Sequence, residues 1–286
     1  MVRCPWLEAT AFLSEGDGLD SPYSEIRDIL QDSVQHVASI RGRRIIKTHL
    51  PLEFLPPQLV DTCKVVYVGR NPADTAVSFY HWHKETFSGS FATFIDMFCK
   101  GKIPYVPYFA ELCLPGLFGY GNYFHHLMSG WNMRDHPNVS FLWYEDVQHN
   151  LEGAIRNMSI FLDHGWPMYI KNQDTKRERK DTINQPLTDE NVENMAKLLS
   201  FENMKMNPMT NPLAGINSPM KHFYMRKGIV GDWRNHFDET MMGSWNGWIF
   251  RHIGGIGLKD LDLFRHTICL DTQTQWWNWA DRLGEL

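Results

Sequence analysis

The sequence predicts an α/β protein built on a parallel sheet, and three observations carry that expectation. Helical and strand-like segments alternate along the chain, the pattern of parallel strands joined by helical crossovers. The run KVVYVGRN (64–71) is almost continuously apolar through Val65, Val66 and Val68, as in a parallel strand buried on both faces. It passes directly into NPADTAVSFYHWHKE, where Asn71 is a good N-cap, Pro72 suits the first helical position and Asp74 suits the first turn. The result is strand, tight turn, helix.

The other elements follow in order. Residues 22–40 are predicted helical, because Ile26, Ile29, Leu30, Val34 and Val37 recur near helical spacing. RRIIKTH (43–49) then reads as a strand with a buried tip, stopped by Pro51, with Lys47 and His49 on the same face at its end. NYFHHLMSGWNMR (122–134) reads as a helix, VSFLWYED (139–146) as a third strand and NLEGAIRNMSIFLDHG (150–165) as a helix ending near its glycine. The polar segment 171–185 reads as a solvated loop. DENVENMAKLLSFENM (189–204) reads as one helix, and RKGIVGDWRNHF (226–237) as an ordered loop with two glycines. There is no internal repeat and no low-complexity tract.

Composition bounds the function classes. A chain of 286 residues with 43% hydrophobic and 21% charged residues is an ordinary globular protein of one large or two small domains. A formal net charge of −5 argues against a general nucleic-acid binder, yet leaves room for a small anionic ligand held by a few local cations. The five cysteines (Cys4, Cys63, Cys99, Cys113, Cys269) are scattered, and no Cys/His cluster has zinc spacing; this predicts a reducing compartment and no metal. The first residues, MVRCPWLEAT, hold no apolar signal region, and no run approaches the ~18 apolar residues of a membrane span. A cytoplasmic protein without a membrane partner is the expectation.

In a parallel α/β sheet, ligands sit at the carboxyl ends of the strands. Three such ends carry polar side chains: Lys47 with His49, Arg70, and Tyr144 with Glu145 and Asp146. Arg70, Ser78 two turns into the next helix and that helix's free N–H groups suit a phosphate. Read alone, Arg70 equally suits a carboxylate partner and Ser78 a packed helix position. Arg226 and Lys227 add two cations beside Gly228, where backbone can approach a ligand closely; alone, they also suit a solvated loop. The GDW at 231–233 reads as packing for Trp233.

Taken together, several stretches resemble the cytosolic sulfotransferases, in order: RCPWLE (3–8), IIKTHLPLEFLP (45–56), KVVYVGRNPADTAVSFYHW (64–82), GNYFHHLMSGWNMRDHPNVSFLWYEDV (121–147), LLSFENMKMNP (198–208) and RKGIVGDWRNHF (226–237). The resemblance implies a P-loop-NTPase-like three-layer sandwich around a central parallel sheet. It also implies transfer of a sulfuryl group from 3′-phosphoadenosine 5′-phosphosulfate to a hydroxyl or amine of a small apolar acceptor such as a phenol, steroid or retinoid-like lipid. Carried over residue by residue, His49 is the implied general base and Lys47 the group stabilising charge on the transferring sulfuryl and leaving phosphate. Arg70, Ser78, Arg226, Lys227 and Gly228 are the implied 3′-phosphate site. Tyr144 is implied to contact the nucleotide and Phe201 to lie against adenine. Trp6, Phe79, His81 and Phe87 are candidate acceptor-lining residues, each equally readable as an ordinary aromatic of core or surface.

The sequence departs from the family pattern in three places. No counterpart of the loop resembling YPKSGTTW, whose amides, lysine and hydroxyls grip the phosphosulfate, occurs in these 286 residues. The expectation is a sulfotransferase-like domain over 3–265 without its N-terminal strand and loop, with unpaired neighbouring strand edges and a weakened clamp on the sulfuryl group. A non-catalytic nucleotide- or ligand-binding module, or an inactive partial chain, is the alternative reading. RNHFDETMMG replaces the family's KxxxTVxxxE dimerisation segment, which predicts loss of the family-type homodimer. Residues 266–286 form an extension with no family counterpart.

Overall fold

The computed structural model describes residues 33–42, 44–84, 87–102, 122–163, 187–208, 210–211, 225–253 and 261–268. Trp6 and RCPWLE, residues 22–32, the loop 171–185 and the tail beyond 268 lie outside them. The chain order is α1 (Ser33–Ser39), a 3₁₀ turn (Leu52–Phe54), α2 (Leu59–Thr62), β1 (Val65–Gly69), α3 (Pro72–His83), α4 (Phe91–Cys99), α5 (Tyr123–Trp131), β2 (Val139–Trp143), α6 (Tyr144–His149), α7 (Leu151–Asp163), α8 (Asp189–Leu198), α9 (Phe201–Met206), a 3₁₀ turn (Asp232–Asn235), α10 (Glu239–Ile253) and α11 (Leu261–Thr267). They form two compact units, one of Met1–Pro57 with His83–Trp131 and the other of Gln58–Trp82 with Asn132–Leu286.

In the first unit the core is aromatic. Phe94, Phe98, Phe124, Leu127 and Trp131 are buried. The Phe94 ring is met edge-on by Phe87 at 5.3 Å and lies 5.8 Å from the ring of His83. Ser90 caps α4, its Oγ accepting from the Thr93 N–H.

In the second unit, β1 and β2 pair in parallel, with Val65 opposite Val139 and Gly69 opposite Trp143. Tyr67 stacks on Phe141 across the ladder, ring centroids 5.1 Å apart, so this face carries the aromatics. The opposite face corrects one expectation. Val66 is 43% and Val68 56% exposed, so β1 is not buried on both faces. A continuous apolar run offers both faces for burial, but only packing layers cover them. Asn71 caps α3 as expected, its Oδ1 accepting from the N–H groups of Ala73 and Asp74. Its Nδ2 donates to the His266 carbonyl, tying α11 to the turn. Trp143 stacks on the His266 ring at 4.5 Å. The helix holding His266 runs to Thr267 and Ile268 is buried, so packing continues past residue 265. Trp245, Trp248 and Ile249 of α10 are also buried.

Three further expectations are corrected. RRIIKTH is not a buried strand: among the described residues only Lys47 holds a bridge position, and Ile45 and Ile46 are 60% and 43% exposed. Apolar pattern proposes a strand, but a ladder makes one. The third strand ends at Trp143, and Tyr144, Glu145 and Asp146 open α6 directly after it. Two carboxylates in the first turn favour that helix start. The single helix expected over 189–204 divides, because the Ser200 Oγ accepts from the Asn203 N–H and starts α9 afresh.

Candidate active site

In the first unit the KTHLP stretch is a turn held against α5. Thr48 Oγ1 accepts from the Leu50 N–H at 3.1 Å, and Ser129 Oγ accepts from the Leu52 N–H at 3.2 Å. His126 Nε2 lies 2.8 Å from the His49 carbonyl oxygen. A carbonyl only accepts, so His126 carries its proton on Nε2. Burial lowers the pKa of His126, with the His49 carbonyl bond opposing. Lys47 is exposed and His49 half-buried. His49 is thus held through its own backbone carbonyl. Phe87 is half-buried against Phe94 in this unit.

The second unit contains Arg70, Ser78, Tyr144, Phe201, Arg226, Lys227 and Gly228. They gather in two groups, with Ser78 half-buried further along α3. In the first group the Arg70 guanidinium lies over the Tyr144 ring, 4.7 Å from its centroid. Next to it, Glu145 Oε1 accepts from the Asn71 N–H at 2.8 Å. Burial raises the Glu145 pKa, and the Asn71 bond opposes the rise.

The second group is built around Gly228, whose φ is +67°. A Cβ built there would stand 2.6 Å from Phe201 Cε2 and nearer still to Cγ and Cδ2. Only glycine fits, on both conformational and steric grounds. Lys205 Nζ lies 5.6 Å over the Phe201 ring and donates to the Arg226 carbonyl, joining α9 to the loop. Arg226 Nη2 donates to Asp232 Oδ2, and Lys227 Nζ donates to Asp232 Oδ1 at 2.7 Å. Burial alone would raise the Asp232 pKa. The bonds from Lys227, Arg226 and Asn235 outweigh it and hold the carboxyl well below the usual range.

Asp74 lies between the two groups. Its Oδ2 accepts from the Gly231 N–H at 2.6 Å and its Oδ1 from the Trp233 N–H at 2.9 Å, while its charge is felt at Tyr144 and Glu145. Sequence reasoning took Asp74 for a helix-start charge and Asp232 for part of a tryptophan-packing turn. Trp233 is indeed buried, but both carboxylates have their own work in this loop. His126 was likewise missed. For Asp232 the available signal is a carboxylate a few positions after two adjacent cations, too common on a surface to single out, and His126 carries none.

Of the remaining candidates, His81 meets the His236 ring edge-on at 5.2 Å and Phe79 is half-buried on α3. Among the described residues no group of His, Cys, Asp and Glu could hold a metal ion, and no helix is long and apolar enough to cross a membrane.

Comparison with known proteins adds an independent line. The sulfotransferase domain model matches residues 1–257. Human sulfotransferase 1E1 is 33% identical over 230 residues, 77% of this chain and 66% of that protein, and rat sulfotransferase 1E1 is 30% identical over 248 residues, 83% of this chain and 72% of that protein. The match to the human relative thus spans just under two thirds of its length. A structure of retinol dehydratase in complex with androsterone and inactive cofactor PAP aligns with a TM-score of 0.65 and 28% identity, over 90% of this chain and 71% of that one. Mouse sulfotransferase SULT7A1 complexed with PAP aligns with a TM-score of 0.60 and 25% identity, over 82% of this chain and 72% of that one. The parallel pair, the strand–turn–helix after β1 and these alignments give the chain the α/β fold of those proteins, and the chain belongs to the sulfotransferase family.

Proposed function

We propose that this chain is a sulfotransferase that moves a sulfuryl group from 3′-phosphoadenosine 5′-phosphosulfate to a hydroxyl or amine of a small apolar acceptor. The observation that carries the reading is the second group of the candidate site. There an aromatic ring, Phe201, lies on a glycine next to two adjacent cations, Arg226 and Lys227. That combination suits an adenine face and a phosphate ester held side by side. Arg70 over Tyr144, beside the positive dipole end of α3, supports the same ligand chemistry, although the N–H groups expected to be free there are taken by Asn71 Oδ1 and Glu145 Oε1. Arg226 has further guanidinium N–H groups and Lys227 further ammonium protons beyond their bonds to Asp232, so both can still serve an anion.

In this reading Arg70, Ser78, Arg226, Lys227 and Gly228 take the 3′-phosphate, and Tyr144 and Phe201 take the nucleoside. His49 removes the acceptor proton as the acceptor O–S bond forms. Lys47 stabilises charge on the leaving phosphate as its bond to sulfur breaks and the bisphosphate departs. The likeness to proteins solved with PAP, one with androsterone, supports a phenol, steroid alcohol or retinoid alcohol as acceptor. Phe79, His81 and Phe87, with Trp6, remain the proposed lining residues. A cytoplasmic location, without a family-type homodimer, belongs to the same proposal.

The test is transfer from the phosphosulfate donor to a panel of a phenol, a steroid alcohol and retinol, followed as sulfated product. His49→Ala should abolish transfer while leaving affinity for 3′-phosphoadenosine 5′-phosphate unchanged. Unchanged turnover in that variant overturns the role of His49. Absence of transfer by the parent chain, with the bisphosphate bound, favours a binding module instead.

A further inference from the structure

A carboxylate beside an anion site repels the ligand, so two of them there require a reason. Asp74 and Asp232 are each 2% exposed. Burying a charge is costly unless it is bonded. Asp74 directs its two oxygens at the backbone N–H groups of Gly231 and Trp233, which flank Asp232 in the chain. Asp232 then directs its own oxygens at the side chains of Arg226, Lys227 and Asn235, with His236 Nε2 3.5 Å from Oδ2. Gly231, at φ +83°, lets the chain turn so that these N–H groups point back to α3. The bonds run from helix α3 through Asp74, the loop backbone and Asp232 to the heads of both cations.

We infer that Asp74 and Asp232 are positioning residues, which fix Arg226 and Lys227 relative to α3 and thereby make the site prefer a nucleotide bearing a 3′-phosphate. This rests on the 3′-phosphate reading above. Neither carboxylate touches the ligand. Asp74 sets the backbone, Asp232 sets the two side chains, and the repulsion they add is outweighed by cations that need no reorganisation when the anion arrives.

The experiment is calorimetric titration of the full chain with 3′-phosphoadenosine 5′-phosphate and, separately, adenosine 5′-phosphate. It is run on the parent, Asp74→Asn and Asp232→Asn. Asparagine keeps the size but turns one carboxylate oxygen into an amide NH₂ that faces that oxygen's donors, breaking at least one hydrogen bond to the carboxylate. The preference for the bisphosphate should fall about tenfold or more in each variant, the cost of a lost bond to a charged group, with adenosine 5′-phosphate affinity unchanged. A merely structural role would weaken both ligands alike. If Asp74→Asn shows no cooperative melt by circular dichroism, Asp232→Asn, which leaves the backbone bonds intact, decides the matter. A parent that prefers the bisphosphate, with variants that keep the same preference, overturns this inference alone. A parent without any preference overturns the 3′-phosphate reading and the inference together.

Discussion

Replacing Gly228 with alanine tests the second group of the site at its tightest point. Two costs add. The φ of +67° places an alanine in the left-handed region, costing roughly 1–2 kcal/mol. The new methyl carbon would also stand 2.6 Å from Phe201 Cε2, closer than carbon atoms approach, so the ring must leave its place. Phe201 is half-buried at the start of the short α9, so it can swing outward rather than break the fold. The added loss is its packing on the loop, about 1 kcal/mol. The sum, about 2–3 kcal/mol, lowers the midpoint of a thermal melt by on the order of 5 °C for a chain of this size. Moving the ring also removes a stacking surface worth about 1–3 kcal/mol per base, so adenosine 5′-phosphate should bind about tenfold more weakly. Differential scanning calorimetry and titration calorimetry read the two effects. In the double variant Gly228→Ala with Phe201→Ala the steric part disappears, and the two substitutions together should cost less than their sum. Strict additivity, or a Gly228→Ala protein that melts and binds like the parent, would refute the reasoning.

Two more outcomes follow from the cap of α3 and the half-buried His126. Asn71→Ala removes both the cap of α3 and the donor to the His266 carbonyl; the cap is worth ~1 kcal/mol and the orphaned carbonyl about 1–3 kcal/mol. Asn71→Asp keeps the cap, so in urea melts it should lose only the second part; an Asn71→Asp protein that melts like the parent would show that the bond to His266 contributes nothing, and equal losses in the two variants would show the same of the cap. For His126, burial lowers the folded-state pKa below the unfolded value of about 6.5, so the unfolded chain binds more protons in that window. Stability should therefore be constant above about pH 6.5 and fall as pH drops below it, with His125 and Glu53 as the neighbouring charges. His126→Gln keeps a donor for the His49 carbonyl but does not titrate, and thermal melts across that range should show a flatter profile; an unaltered profile would assign the pH dependence to other groups.

What the sequence determined by itself is local. Asn71, Pro72 and Asp74 after an apolar run specify a strand, cap and helix through bonds spanning three residues, and the structure has them. The parallel α/β class followed from alternation, the apolar run at 64–71 and the turn after it, and the family from short motifs in order along the chain. Side-chain identity also carried chemical type: imidazole and ammonium in KTH, guanidinium after β1, two cations by a glycine. The tertiary structure decided everything that depends on what covers or meets a residue. Val66 and Val68 lie on an exposed face although their run looks fully buried, because burial belongs to the layers and not to the strand. RRIIKTH forms no ladder among the described residues, because a strand exists only with its partner. Asp74 and Asp232 sit 158 positions apart in the numbering, and no local pattern could join them. Their alliance depends on the chain bringing α3 to the 226–233 loop, where two buried carboxylates can be satisfied only by each taking its own set of donors.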